Sequence, residues 1–336
     1  MVVNVQLFLD TMAYASVLGL LSMSLTLTYI VSRVPNFAHA TFAAIGSYMV
    51  LIIVWIMGIY KTGPSWGVYY ASLPVSFLVV GIVALIQYLI VLRPLAKKGI
   101  SIDGLMIATL GIDIILVGLL NISADFLEDI FQRSPDKDLR KLVTYPRSGY
   151  LSSYEPTIMG ITASSILGPL LLLVSTIGFY LFLTRTKFGT AMRAAIENPQ
   201  LAETLGINVN LVYSVSWFIA GGLAGLAGVV MVMTTKLNPA MGWILIVSVF
   251  AGSIVGGLGS LFWGAIGGLL IGFLEQFGVY YTQIILGALT GETISLGNYR
   301  QVFSLGAIVV MLLVAPQGLA SLNWHRILSR LGLKRW

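Results

Sequence analysis

The sequence predicts an all-α, polytopic integral membrane protein of about eight or nine transmembrane helices. Two observations carry that expectation. Of 336 residues, 57% are hydrophobic and only 10% are charged, against roughly a quarter charged in a soluble domain. A single core of this length cannot hide so much apolar surface from water. The apolar residues also fall into runs of about the 20 residues needed to cross the hydrocarbon of a bilayer. The net charge of +6 is spread singly between those runs, so it sets orientation in a membrane and implies no nucleic-acid partner. With no cysteine in the chain, disulfides, zinc thiolates and cysteine nucleophiles are excluded.

The runs lie at 11–31, 37–59, 67–91, 102–122, 161–184, 211–233, 260–283 and 301–319. No basic residue precedes the first of them, so it is expected to stay as a helix and not to be a cleaved leader. A further run at 243–257 is short and ends in Gly256-Gly257. It is expected to be a thin span, a half-helix or a re-entrant segment, the last tolerated only where protein or water covers its backbone. The whole chain, 1–336, forms one transmembrane domain, interrupted by a polar insertion at 123–160 and a second loop at 185–210.

Basic residues in short loops give the orientation. Arg93, Lys97 and Lys98, then Arg185, Lys187 and Arg193, then Arg326, Arg330, Lys334 and Arg335 form three clusters. An even number of spans separates them once 243–257 is counted, so all three are expected on the cytoplasmic side. The N-terminus is then outside and the C-terminus inside. Trp55, Tyr60, Trp66, Tyr69, Tyr70, Trp243, Tyr280, Tyr281 and Tyr299 fall at the opposite ends, where amphipathic rings suit the headgroup belt. The 123–160 loop mixes acids, among them Asp125, Glu128, Asp129, Asp136 and Asp138, with Arg133, Lys137, Arg140, Lys141 and Arg147; the basic ones count against an outer placement, yet long loops translocate with less regard to charge, and the loop is placed outside. The terminal HRILSRLGLKRW run is basic and amphipathic and is expected to rest on lipid at the inner leaflet.

The stretch from Arg185 to Val212 has the pattern of a structured loop. Phe188, Met192, Ala195 and Ile196 recur at helical spacing, with Arg193 and Glu197 on another face. Asn198-Pro199 suits the start of a second helix over 199–205, since Asn caps and Pro needs no amide hydrogen in the first turn. Gly206 suits its end. Two short helices held against a bundle form a docking knob, or simply a connector.

This stretch resembles the coupling loop of ABC importer permeases of the branched-chain amino acid, LivH-type family, at Gly189, Arg193, Ala194, Asn198, Ala202 and the run Gly206-Ile207-Asn208. Val34 to Tyr48, VPNFAHATFAAIGSY, is similar to the family's segment opening the second span, departing from it at Ala40, where glycine is usual. Val255 to Gly268 is a third match, and the likeness extends over nearly the whole chain. It implies an ABC importer permease architecture in which Glu197 belongs to the ATPase-coupling loop with the matched residues. It also implies ABC ATPase subunits docked on that loop, an extracytoplasmic substrate-binding protein, and a second permease subunit, LivM-like or a copy of this chain. Urea and amide importers use permeases of similar appearance.

Other residues stand out on their own chemistry. Gly252, Gly256, Ser260, Gly264, Gly268 and Gly272 recur every four residues, which on one helix makes a small-residue seam for close packing. Gly221, Ala224, Gly225 and Gly228 repeat the device one span earlier. Asn36 and His39, at the opening of the second span, and Glu275, inside an apolar run, are translocation-path candidates, each with a plain structural alternative. Asp113 is also intramembrane, and an acid there normally faces the bundle interior. The chain has no phosphate-binding G-x-x-x-x-G-K-[ST], no H-E-x-x-H and no G-x-S-x-G motif, so no catalytic residue, metal site or cofactor is expected. An ion-coupled secondary transporter, the main rival, needs coupling-ion sites at the midplane.

Overall fold

The computed structural model describes residues 5–292 and 295–322; the terminal basic run from His325 lies outside the described residues. Among the described residues, eight helices are long and apolar enough to span a bilayer, and a shorter ninth lies between two of them. In chain order they are α1 (Val5–Ser32), α2 (His39–Ile56), α3 (Gly67–Lys97), α4 (Ile102–Arg133) and α5 (Ala163–Arg185). Two short helices, α6 (Lys187–Glu197) and α7 (Pro199–Thr204), precede α8 (Val209–Thr234), α9 (Met241–Gly256), α10 (Leu261–Thr290) and α11 (Gln301–Val314).

The 243–257 run is one unbroken helix of 16 residues. At 1.5 Å per residue it is about 24 Å long, short of the roughly 30 Å hydrocarbon. It needs no lipid-facing breaks, because α1, α2, α10 and α11 pack around it. With α9 counted, nine traverses put residue 5 and residue 322 at opposite ends of the bundle.

The bundle is built around α1, which packs against α5, α8, α9 and α10 and is almost wholly enclosed. Its buried hydroxyls are satisfied mostly within the helix: Thr11 donates to the Leu7 carbonyl (2.6 Å), Ser16 to Met12 (2.7 Å) and Thr26 to Ser22 (2.7 Å). Such back-bonding lets a polar helix sit in an apolar interior. Others cross to neighbours, Ser22 Oγ donating to the Val249 carbonyl (3.1 Å) and Ser253 Oγ to the Ser22 carbonyl (3.0 Å). By contrast α4, α5 and α11 are peripheral, with rows of exposed residues such as Ile107, Ile114 and Leu119 on α4 and Leu313 on α11.

The four-residue glycine period does not lie on one helix. The chain turns at Gly257 (φ +112°), so Gly252 and Gly256 fall on α9 while Gly264, Gly268 and Gly272 fall on α10. The two helices fold face to face and share α1 as their third wall. A Cβ on Gly256 would lie 2.0 Å from the Trp263 carbonyl oxygen, one on Gly268 2.3 Å from that of Leu18, and one on Gly272 2.4 Å from the Ala15 Cα. Gly264 meets Thr26 of α1, and Gly252 meets Ser22. The period survives the turn because the hairpin keeps small residues opposed. The second stripe, on α8, lets that helix into the groove between α2 and α3: a Cβ on Gly228 would lie 2.1 Å from the Ala43 carbonyl oxygen and one on Gly225 2.5 Å from that of Ser76.

The polar insertion begins later than expected, since α4 continues to Arg133. Helical turns at Lys137–Arg140 and Tyr145–Ser148 and a two-residue hairpin (Thr157–Ile158 with Ile161–Thr162) follow. This cap is tied to the bundle at several points. Tyr48 Oη donates to the Pro146 carbonyl (2.5 Å), Leu237 N to that of Gly149 (2.9 Å) and Ser65 N to that of Tyr154 (3.3 Å). Tyr69, expected in the headgroup belt, is buried and donates to Glu155 Oε1 (2.9 Å), which also accepts from the Ser164 amide. Burial pushes the Glu155 carboxyl above its usual range. Several of the cap's charges pair with each other or with the α4 end: Lys141 with Asp138 (2.7 Å), Arg133 with Asp129 (2.7 Å), and Arg147 with Asp125 and Glu128.

Asp136 is tied to Lys61 (2.6 Å) and accepts from Tyr60 Oη (2.9 Å). The Lys61 ammonium holds its carboxyl down at about 2. A depressed folded-state pKa means this tether is intact above the ordinary aspartate value and is lost as pH falls through about 2. The wild-type cap is therefore expected to loosen between about pH 4 and pH 2. Asp136→Asn should flatten that part of the curve when Trp66 fluorescence is followed through an acid titration. An identical curve for the variant would show that the pair does not tether the cap.

Candidate functional site: a helical knob and separate buried polar nodes

The knob forms through local rules. Thr186 caps α6 by accepting from the Gly189 amide (2.9 Å). Gly189 is buried where a Cβ would lie 2.1 Å from the Phe182 carbonyl oxygen, so α6 folds back tightly on the end of α5. Met192 and Ala195 face the bundle. Asn198 ends α6 and caps α7, accepting from the Leu201 amide (3.0 Å), with Pro199 in the first turn. The second helix stops at Thr204, with Leu205 as its cap. Ile207 N then reaches the Ala202 carbonyl (3.0 Å) and Gly206 N that of Glu203 (3.0 Å), while Gly206 takes φ +84°. That paired closure needs a left-handed residue, for which glycine is the cheapest choice. Asn208 caps α8 through the Leu211 amide (3.0 Å).

The expected loop residues therefore divide. Gly189, Asn198, Ala202, Gly206 and Asn208 build the knob, whereas Arg193 and Glu197 present exposed charges, with Ala194 half-buried between them. Three further residues of the knob lie outside the sequence expectations: Thr186, the first cap, and Leu201 and Leu205, which are 56% and 72% exposed. Their signal was a four-residue spacing of leucines in an otherwise polar helix.

The three translocation-path candidates are all buried; Asn36 and His39 lie together, the His39 amide donating to the Asn36 carbonyl (3.2 Å), and Glu275 lies apart from them. Asn36 Oδ1 accepts from Gln87 Nε2 (2.9 Å) and from the Ala38 amide (3.2 Å) at the opening of α2. His39 Nε2 is hydrogen-bonded to Ser24 Oγ (2.7 Å). Asn36 Nδ2, His39 Nδ1 and Gln87 Oε1 have no partner among the described residues. Glu275 lies elsewhere. It accepts from Tyr14 Oη (2.7 Å), Ser248 Oγ (2.5 Å) and Ser304 Oγ, which joins α1, α9, α10 and α11 at one point. The Arg300 guanidinium stands over the Tyr14 ring, 5.4 Å from its centroid. Tyr14 and Ser24 are ten residues apart on α1, so the two nodes are about 15 Å apart along it. Asp113 forms a third node, accepting from Thr41 Oγ1 (2.5 Å) and so turned towards α2 and away from lipid. No cluster of metal-ligating side chains occurs among the described residues.

A bundle of apolar helices enclosing scattered polar nodes, with a capped helical knob projecting from one end, is the frame of a multi-pass membrane permease. The family model described as branched-chain amino acid transport system / permease component matches residues 7–316, and the chain belongs to that family. It is a transporter subunit of an ABC importer and not an enzyme. It is 40% identical over 314 residues to the probable branched-chain amino acid transport permease protein LivH of Methanocaldococcus jannaschii, covering 94% of this chain and 91% of that one. It is also 25% identical over 319 residues, 94% of each chain, to the high-affinity branched-chain amino acid permease protein BraD of Pseudomonas aeruginosa. Half of the nucleoside ABC transporter permease protein NupC of Lactococcus lactis aligns with 48% of the chain at 30% identity. No solved structure matches.

Proposed function

We propose that this subunit carries branched-chain amino acids, or a closely related small solute, inward, and that α6 and α7 receive the ATPase that drives it. The names of the relatives support the cargo. The observation that carries the coupling role is the knob itself: two short helices, each with a side-chain cap and closed by a left-handed glycine, yet showing Leu201, Leu205, Arg193 and Glu197 to solvent. Exposed leucines one helical turn apart on a short capped helix are apolar anchors that a partner's groove can cover. The knob end is then cytoplasmic and the 134–162 cap faces outward, towards a substrate-binding protein. A second permease, LivM-like or another copy of this chain, completes the pathway.

Transport of this kind alternates between two global states that ATP binding biases through the docked knob. Asn36, His39 and Glu275 are the polar positions inside the bundle that such a shift would expose to cargo. The closely opposed glycines of α9 and α10 are the surfaces on which helices could slide.

The leucines give the clean test because neither is part of the fold's interior. The double variant Leu201→Ser with Leu205→Ser is expected to keep the wild-type melting temperature in detergent. Its recovery of co-expressed ATPase should fall at least about tenfold, with ATP-driven leucine uptake in proteoliposomes falling alongside. Full ATPase recovery with the variant would remove the knob from the coupling role.

A further inference from the structure

A cavity of about 600 Å³ opens at the knob end of the bundle, between the last turns of α1 and α11 and the α9–α10 turn. Its polar lining comes from Tyr29, Arg33, Ser260, Gln317 and Ser321. Its apolar lining includes Ile254, Leu258 and Leu312. Arg33 makes no ion pair with the described residues, and the side chains of Tyr29 and Ser260 make no hydrogen bond to them. Arg33 also has a left-handed backbone (φ +57°), where glycine would fit at lower conformational cost. The chain thus keeps a long cationic side chain at the rim of an uncommitted polar pocket.

The apolar lining indicates what kind of anion fits. Leu312 leads onto an exposed apolar stretch of α11, where Val310, Leu313 and Val314 are 61%, 80% and 73% exposed. On a membrane-spanning helix such a stretch meets acyl chains. The polar lining lies at the end of that stretch, where headgroups begin. A basic residue near a membrane surface attracts acidic lipids by roughly fivefold. A free phosphate or an amino acid would use the polar lining and leave the apolar lining uncovered.

We propose that this cavity binds the headgroup of an anionic phospholipid, with Arg33 on the phosphate and the acyl chains laid along α11. The site is independent of the cargo and of the ATPase.

Native mass spectrometry of the full chain in detergent tests it, with phosphatidylglycerol and phosphatidylcholine of matched acyl chains as probes. Phosphatidylglycerol should be retained in preference by about fivefold or more. Arg33→Gln should abolish the preference and Arg33→Lys should keep it. Leu258→Trp, which fills the pocket without touching its charge, should lower retention of phosphatidylglycerol. Equal retention of the two lipids overturns the proposal. So does a preference that survives Arg33→Gln, which would assign the attraction to basic residues elsewhere. Displacement of the lipid by equimolar inorganic phosphate or leucine would make the cavity a site for soluble anions and likewise overturn it.

Discussion

Replacing Glu275 with leucine is expected to do more damage than any other single polar change in the bundle. The carboxylate is fully buried and accepts from Tyr14, Ser248 and Ser304, so its loss leaves three hydroxyls on three helices without their acceptor. Each stranded buried donor costs about 1–3 kcal/mol, less where a serine can swing back to a carbonyl of its own helix. A net loss of about 3 kcal/mol follows. Glu275→Gln, which retains one acceptor oxygen and nearly the same shape, should lie between wild type and leucine. The ordering is read from melting temperatures in one detergent, with leucine uptake measured on the fraction that stays folded. A leucine variant that melts with the wild type would mean that the four helices do not depend on this junction. If the glutamine variant melts normally but fails to transport, Glu275 acts in the pathway beyond its structural part.

The second large effect is steric. Gly267 lies off the four-residue period, yet it is wedged against the α9 backbone on two sides: a Cβ there would stand 2.1 Å from the Gly252 carbonyl oxygen and 2.4 Å from the Gly256 amide nitrogen. Backbone cannot rotate out of the way as a side chain can, so even alanine must push the helices apart, at a cost of about 1–3 kcal/mol. Gly118 on α4 is the control, because a Cβ there meets nothing within 4 Å. Gly118→Ala should be neutral or stabilising by up to about 1 kcal/mol through better helix propensity. Thermal unfolding of the two variants side by side decides the matter. Equal melting would show that the α9–α10 contact is loose enough to absorb a methyl group.

What could be foreseen from the sequence divides by the range of the force involved. The spans were visible because lipid demands about 20 apolar residues wherever a helix crosses, and each expected run corresponds to a helix or an apolar helical stretch. Helix ends were less visible. On α4 the apolar pattern fades near residue 122, but the helix continues through Asp125, Glu128, Asp129 and Arg133, held by the Asp129–Arg133 pair and by Arg147 from the cap. The knob could be drawn almost residue by residue, since Asn198, Gly206 and Asn208 act on neighbours within a few positions. The Glu275 junction could not be drawn at all, because its partners come from positions 14, 248 and 304 and only the folded chain brings them together. The glycine period was seen correctly but assigned to one helix, for a repeat carries no information about whether a turn interrupts it.

The enclosure of α1 also has a consequence for how the chain is made. The helix precedes the other described helices in the chain, yet it buries the hydroxyls of Thr11, Ser16, Ser22, Ser24, Thr26 and Thr28. Its long-range partners are encoded far downstream: Ser253 is 231 positions beyond Ser22, and Glu275 is 261 beyond Tyr14. Until α10 has been synthesised and inserted, α1 stands in the bilayer with its small-residue grooves unfilled. The packing around α1 is therefore completed only when α9 and α10 are in place. A chain cut before α9 leaves open the α1 surface that Gly252, Gly264, Gly268 and Gly272 otherwise cover.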